Sequence, residues 1–436
     1  MIKLNKREYK VNLLFDIGCL ILAIGIPLNF SAPFIVLLFI ALRIVTANKD
    51  TIGLYFCLYG TIIGGMIRAL YPSIPIYGIM FVLLGLFLLR NYIKDAFTYN
   101  TSGLLCLLAV FVLFYVYYLV GFQTKFATDK LIQIISNGSL FYISYTCLCK
   151  SKKMENEVMT HLLLLSTIFY FVVSKTLEPI GSPKTIFDFT WYRDHFMFNS
   201  KMVFYQIIGM NALLAMLYYF GQKGLRFFTV HSILLLVTGT YLILMSGARQ
   251  SILGLTFLLP IAYLLQVSQS SQNFLKIAKR LFFVLICAFV LLQLIEMMNI
   301  SYLSQFFDDS SDSSLEQKLN RDTNYTEAYI LIERNLVEGT GLGGYNYLTK
   351  NPYPHNFFLE MLCECGLLGL FVFLFVVVIY IYMNPVKFTL LTYNNTLFFV
   401  IYLSLFLTSM ISGDFTNSIV LFSALFSTSI IKSHHN

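Results

Sequence analysis

The sequence predicts an all-α polytopic membrane protein with about 12–14 transmembrane helices and one large, partly helical extracytoplasmic loop. Three observations carry that prediction: composition, a series of long uncharged apolar runs, and the way lysine and arginine divide between alternate connections. Of the 436 residues, 58% are hydrophobic and only 12% are charged. A soluble protein carries about 25% charged residues, and a domain of this size needs a polar skin. A soluble enzyme, a disulfide scaffold, a disordered chain and a nucleic-acid module are therefore excluded as expectations. The net charge of +8 reads as a topology signal.

A spanning helix needs about 20 apolar residues. Candidate spans lie at 12–30, 31–46, 52–70, 75–90, 102–121, 131–149, 160–174, 201–220, 226–245, 251–267, 281–298, 357–383, 389–411 and 415–431. The runs at 31–46 and 160–174 are short, hence the lower figure. The first run ends in Pro27, Leu28 and Asn29. That is no small-residue cleavage site, so it reads as a retained anchor. The expected organisation is an N-terminal transmembrane bundle over 1–174, an outer loop over 175–200 and central helices over 201–298. A large extracytoplasmic loop over 299–356 and C-terminal helices over 357–436 complete it.

Placing Lys3, Lys6, Arg7 and Lys10 in the cytoplasm puts 18 of the 30 basic residues on that side. The short outer loops are then nearly bare, as the positive-inside rule expects, and both termini are cytoplasmic. The eight cysteines all fall in apolar stretches and read as buried fillers.

The 299–356 loop holds eight of the 22 acidic residues. Asp312-Ser313-Ser314 followed by Glu316 reads as a helix start. Tyr325, Ala328, Tyr329, Ile332 and Leu336 recur at helical spacing, and Gly339 is the expected stop. Gly339-Thr340-Gly341-Leu342-Gly343-Gly344 lacks the Lys-Ser/Thr of a nucleotide loop. It reads instead as a turn that lets backbone approach another element. Asp308, Asp309 and Asp312 read as a solvated acidic run and not as a metal site. Pro352 and Pro354 then lead to His355 and Asn356 at the mouth of the next span.

Few residues on the outer side could carry chemistry. Arg249, in Ser246-Gly247-Ala248-Arg249, is either an interfacial snorkelling arginine or an anion clamp. Arg193 lies beside Trp191, the single tryptophan, in a loop that could equally be a wet surface. Arg321 alone is a solvated charge. His355 opens a helix whose N-terminus would favour an anion and a neutral imidazole. Glu360 and Glu364 share one helix face just below it. Acids inside a membrane are costly and face a cavity. Asp414, in Ser412-Gly413-Asp414, caps an outer loop. Arginines with a neutral histidine suit transfer from a phosphorylated lipid. The arginines would neutralise a diphosphate leaving group, and the histidine would take the acceptor proton.

Pro354-His355-Asn356-Phe357-Phe358-Leu359-Glu360, running into Glu364-Cys365-Gly366-Leu367-Leu368-Gly369, resembles the signature of the O-antigen ligase/polymerase superfamily. Ser246-Gly247-Ala248-Arg249 resembles that family's arginine turn, with Ala248 where a small polar residue is usual. Arg193 through Asn199 resembles its arginine-to-asparagine loop. Arg321 with Gly339-Thr340-Gly341-Leu342-Gly343 resembles its arginine–helix–glycine stretch.

The resemblance implies an inverting glycosyltransferase of the bacterial inner membrane that needs no metal or cofactor. Its donor and acceptor would be undecaprenyl-diphosphate-linked glycans. His355 would be the general base, with Arg249 and Arg321 catalytic and Arg193 on the diphosphate. Asn199, Asn356, Glu360, Glu364 and Asp414 would line the substrate. Membrane lipids, a chain-length regulator and a flippase are the implied partners, and nucleic acid is not. The richness in aromatics, 42 Phe and 29 Tyr, leans the reading to a polymerase. A ligase acting on lipid A core or protein is the alternative within the family. A transporter or flippase is the alternative outside it, and it would want broken helices and more mid-span charge than Arg68, Glu296, Glu360 and Glu364 supply.

Overall fold

The computed structural model describes residues 101–150, 312–384 and 414–427, together with isolated positions elsewhere; for 312–322 the description is of backbone alone. The other predicted spans, the 175–200 loop, Arg193, Asn199 and Arg249 lie outside the described residues. The chain divides into two compact units, and the described helices build the one formed by Tyr92–Cys149 and Leu303–Asn436.

Every described element is helical, and no strand occurs among the described residues. In chain order they are α1 (Thr101–Val120), α2 (Lys125–Lys150), α3 (Asp312–Arg334), α4 (Gly344–Thr349), α5 (Phe357–Met383) and α6 (Phe415–Ser427). Two of them, α1 and α5, are long and apolar enough to cross a membrane. Apolar content alone makes them helical in a dry setting, because a helix satisfies its own backbone.

Helix α1 matches the predicted span closely. It stops at Gly121, whose N–H still bonds the Tyr117 carbonyl at 3.1 Å. Thr124 opens α2 by accepting the Ala127 N–H at 3.2 Å, as a capping threonine does. The helix therefore begins six residues before the expected span and takes Lys130 into its first turns. Helix α3 starts at Asp312 as its serines and acid suggest, but ends at Arg334, before the expected Gly339. The buried stripe on α3 is Ala328, Leu331 and Ile332, while Tyr329 and Leu336 are exposed. Helix α4, six residues long, has no counterpart in the sequence reading.

The largest departure is in α5. Gly366 adopts φ 62, ψ −170, a conformation open to glycine, and the helix breaks there. In an unbroken helix, residues sixteen positions apart stand about 24 Å apart along the axis. The rings of Phe357 and Phe373 are 5.5 Å apart. The outer half, 357–365, therefore folds towards the inner half, 367–383. One straight span over 357–383 was the expectation, and a glycine inside an apolar run gave no warning of the bend.

The aromatic core sits in that fold. Phe357 also meets Phe415 and Phe422 at 5.6 and 5.2 Å, Phe373 meets Phe422 edge-on at 4.6 Å, and Phe114 meets Phe415 at 4.8 Å. Such pairs contribute about 0.5–1.5 kcal/mol each beyond simple burial. At the far end Asn384 bonds Ser102 at 3.0 Å, and the Tyr380 hydroxyl donates to the Phe426 carbonyl at 3.2 Å. Helices α1, α5 and α6 are thereby aligned at both ends. Cys106 and Cys365 are free thiols buried in this core, and Cys363 is buried beside Ala328, Leu331 and Ile332 of α3, as fillers should be.

Candidate functional site

The break in α5 leaves four peptide groups unpaired within the helix: the carbonyls of Cys363 and Glu364 and the N–H groups of Leu367 and Leu368. The glycine turn takes all four. Thr340 N–H donates to Cys363 O and Gly341 N–H to Glu364 O, both at 2.9 Å. Leu367 N–H donates to Leu336 O at 2.8 Å and Leu368 N–H to Val337 O at 3.1 Å. The Thr340 hydroxyl adds a bond to Cys363 O at 3.0 Å. The turn thus approaches another element through its backbone, as the sequence reading expected. A Cβ on Gly339 would lie 2.5 Å from Glu364 O, and one on Gly366 would collide with Val337 O. This docking joins the end of α3, which carries Arg321 in its backbone, to the outer half of α5.

At the mouth of α5 the residues Tyr353, His355 and Asn356 follow one another. Asn356 is the helix cap. Its Oδ1 accepts the N–H groups of Phe358 and Leu359 at 2.9 and 3.1 Å, and its Nδ2 donates to Met410 O at 2.9 Å. Two amides that the sequence reading left open to an anion are therefore held by the chain itself. His355 stands before the cap at φ 57. A non-glycine residue held there costs on the order of 1 kcal/mol or more, and such strain clusters at functional sites. The Tyr353 ring meets the His355 ring edge-on, centroids 4.6 Å apart. Burial, then the nearby carboxylates of Asp414 and Glu360, push the Tyr353 phenol up to about 12.

Asp414 opens α6. Its Oδ2 accepts the Thr416 hydroxyl at 2.7 Å, and its carbonyl accepts Ser418 N–H at 2.8 Å. Beneath lie Glu360 and Glu364, both fully buried. The spacing on one face was legible; their partner was not. Lys130 Nζ reaches Glu360 Oε1 at 2.6 Å and the two oxygens of Glu364 at 2.9 and 2.8 Å. The other oxygen of Glu360 accepts Phe415 N–H at 2.8 Å. The ammonium also lies 4.7 Å from the Phe415 ring centre. Lys130 stands one residue before the expected 131–149 span, and the sequence reading gave it no role. The available signal was the need of two intramembrane acids for a cation and a lone lysine at the rim of an apolar run. Among the described residues no group of His, Cys, Asp and Glu could hold a metal ion.

The structure thus brings His355, Asn356, Glu360, Glu364 and Asp414 to one end of the helices, adds Tyr353 and Lys130, and carries Arg321 on a helix docked to the same half of α5. A helical protein with membrane-capable helices and polar chemistry gathered at one helix mouth is the class so defined. Residues 233–374 match the family model described as O-antigen ligase. Over that stretch the chain is similar to the O-antigen ligase/polymerase superfamily. The match spans α3, α4 and α5 as far as residue 374, and leaves Lys130 and Asp414 beyond its limits. No curated protein and no solved structure matches the chain.

Proposed function

We propose that the protein is a glycan polymerase of the bacterial cytoplasmic membrane, working on its outer side, with undecaprenyl-diphosphate-linked repeat units as donor and acceptor. The observation that carries this reading is the family match, because 233–374 contains Arg249, Arg321 and His355 together. In the reaction the acceptor hydroxyl oxygen attacks the anomeric carbon of the donor. The bond from that carbon to the diphosphate oxygen breaks, with inversion, and undecaprenyl diphosphate leaves. His355 takes the hydroxyl proton as the new bond forms. Arg249 and Arg321, with Arg193, carry the charge that grows on the leaving diphosphate. The Tyr353 ring packs edge-on against the imidazole.

Glu360 and Glu364 are placed to hold the mouth of α5 in position. Their oxygens are already occupied by Lys130 and Phe415 N–H. Asn199 remains a candidate substrate contact by resemblance. A chain-length regulator and a flippase would work beside the enzyme.

The printed description of the family favours a second reading, ligation of a finished glycan to an acceptor. One experiment separates the two. The gene is deleted, wild type and His355→Ala are returned in turn, and the surface glycan is run on a gel. A polymerase leaves a single repeat on the acceptor in both the deletion and the variant. A ligase leaves long glycan stranded on the lipid carrier. A His355→Ala strain with full-length chains would overturn the base assignment.

A further inference from the structure

We infer that Lys130 is a positioning residue of this site: its ammonium, clamped between Glu360 and Glu364, fixes the outer half of α5 and the start of α6 on which His355 and Asp414 stand. The inference rests on the proposed role of His355.

Three helices meet at this ammonium. Lys130 comes from α2, the two acids from α5, and the Phe415 N–H that completes Glu360 from α6. The side chain of Lys130 is 4% exposed and those of both acids 0%. Water therefore cannot substitute for any of the contacts, and buried charges keep their geometry only while each stays paired. Glu360 is the pivot. One oxygen is held by Lys130, and the other holds the residue directly after Asp414. A shift of Glu360 moves the mouth of α5 and the turn into α6 together. His355 lies five positions before Glu360, with only the Asn356 cap and the first helical turn between them.

The opposite view is that the lysine serves charge balance alone. Charge balance is indifferent to geometry, so it can be restored by deleting one charge of each sign. Positioning cannot be restored that way.

The test uses the full chain in purified membranes, with a lipid-diphosphate-linked repeat as the probe substrate. Lys130→Met is compared with Lys130→Met/Glu364→Gln, which keeps the net charge of the cluster. His355→Ala is run beside them. The double variant is expected to recover most of the membrane abundance that Lys130→Met loses and to keep wild-type KM, with kcat lowered about tenfold, a modest share of what misplacing a reacting group can cost. Lys130→Met alone is expected to lose abundance. Wild-type kcat in the double variant would overturn the inference. So would a raised KM at unchanged kcat, which would make Glu364 a substrate contact. Loss of abundance in both variants would make Lys130 a folding residue and nothing more. A dead His355→Ala beside an unaffected double variant sinks the inference alone; a live His355→Ala beside a slowed double variant sinks the base assignment alone.

Discussion

Two joints hold the outer half of α5, and they are built from different materials. Above, three charged side chains from α2 and α5 meet at Lys130. Below, the glycine turn meets the break at Gly366 through main-chain groups. The side-chain joint is specific because it needs particular charges at particular places. The backbone joint is specific because it needs the absence of side chains. In a continuous helix Cys363 O would bond Leu367 N–H, and Glu364 O would bond Leu368 N–H. In the turn, Leu336 O and Thr340 N–H, and Val337 O and Gly341 N–H, have the same spacing. The two segments exchange these partners, so the break loses no hydrogen bond. A charged joint can be rebalanced by a second substitution, whereas the backbone joint offers no side chain to alter in compensation.

The largest expected effect tests the backbone joint. Gly366→Val puts a branched side chain at positive φ and against Val337 O. It should destabilise the protein by about 3 kcal/mol or more. Membrane abundance and glycan extension should both be lost, and no second-site change at Lys130, Glu360 or Glu364 should restore them. Recovery of abundance by such a change would mean that the joints are not independent.

A smaller effect is expected between the joints. Asn356→Ala removes the cap and the bond to Met410 O, and should cost about 1–2 kcal/mol. In a detergent melt it should lower the Tm by a few degrees, and Asn356→Ser should regain part of the loss. An unchanged Tm in the alanine variant would show that the cap is not needed.

The smallest effect concerns Tyr353. Its phenol is raised from an ordinary 10.0 to about 12, so it stays neutral across the working range. A raised pKa contributes stability that is whole below pH 10 and is lost as pH rises through about 12. Tyr353→Phe should therefore melt like the wild type at pH 7–9 and fall less steeply between about pH 10 and 12. An identical alkaline decline in both would remove Tyr353 from the account.

The two joints also differ in how far the sequence announced them. Glu360 and Glu364, one turn apart in an apolar run, were legible because intramembrane acids are rare. Lys130 was hidden by bookkeeping: an apolar window begins after it, while Thr124 starts the helix earlier. The glycine turn was legible as a place of close backbone approach, but its target was not, since hydrogen-bonded backbone carries no residue type. Asn356 looked like a ligand-contacting amide by resemblance, and its capping role followed only from where α5 begins. His355 was legible from its neighbours. Its strained φ was not, because nothing in Pro354-His355-Asn356 marks a left-handed residue.

The bend at Gly366 has one more consequence. Helix α5 has 27 residues, more than a bilayer core needs. Only the inner half, 367–383, runs straight enough to match that thickness, at about 25 Å of rise. The outer half becomes a ledge. It lies folded against the inner half, and both carboxylates on it are already held by protein. His355, proposed as the base, stands at the mouth of that ledge and not on the straight run.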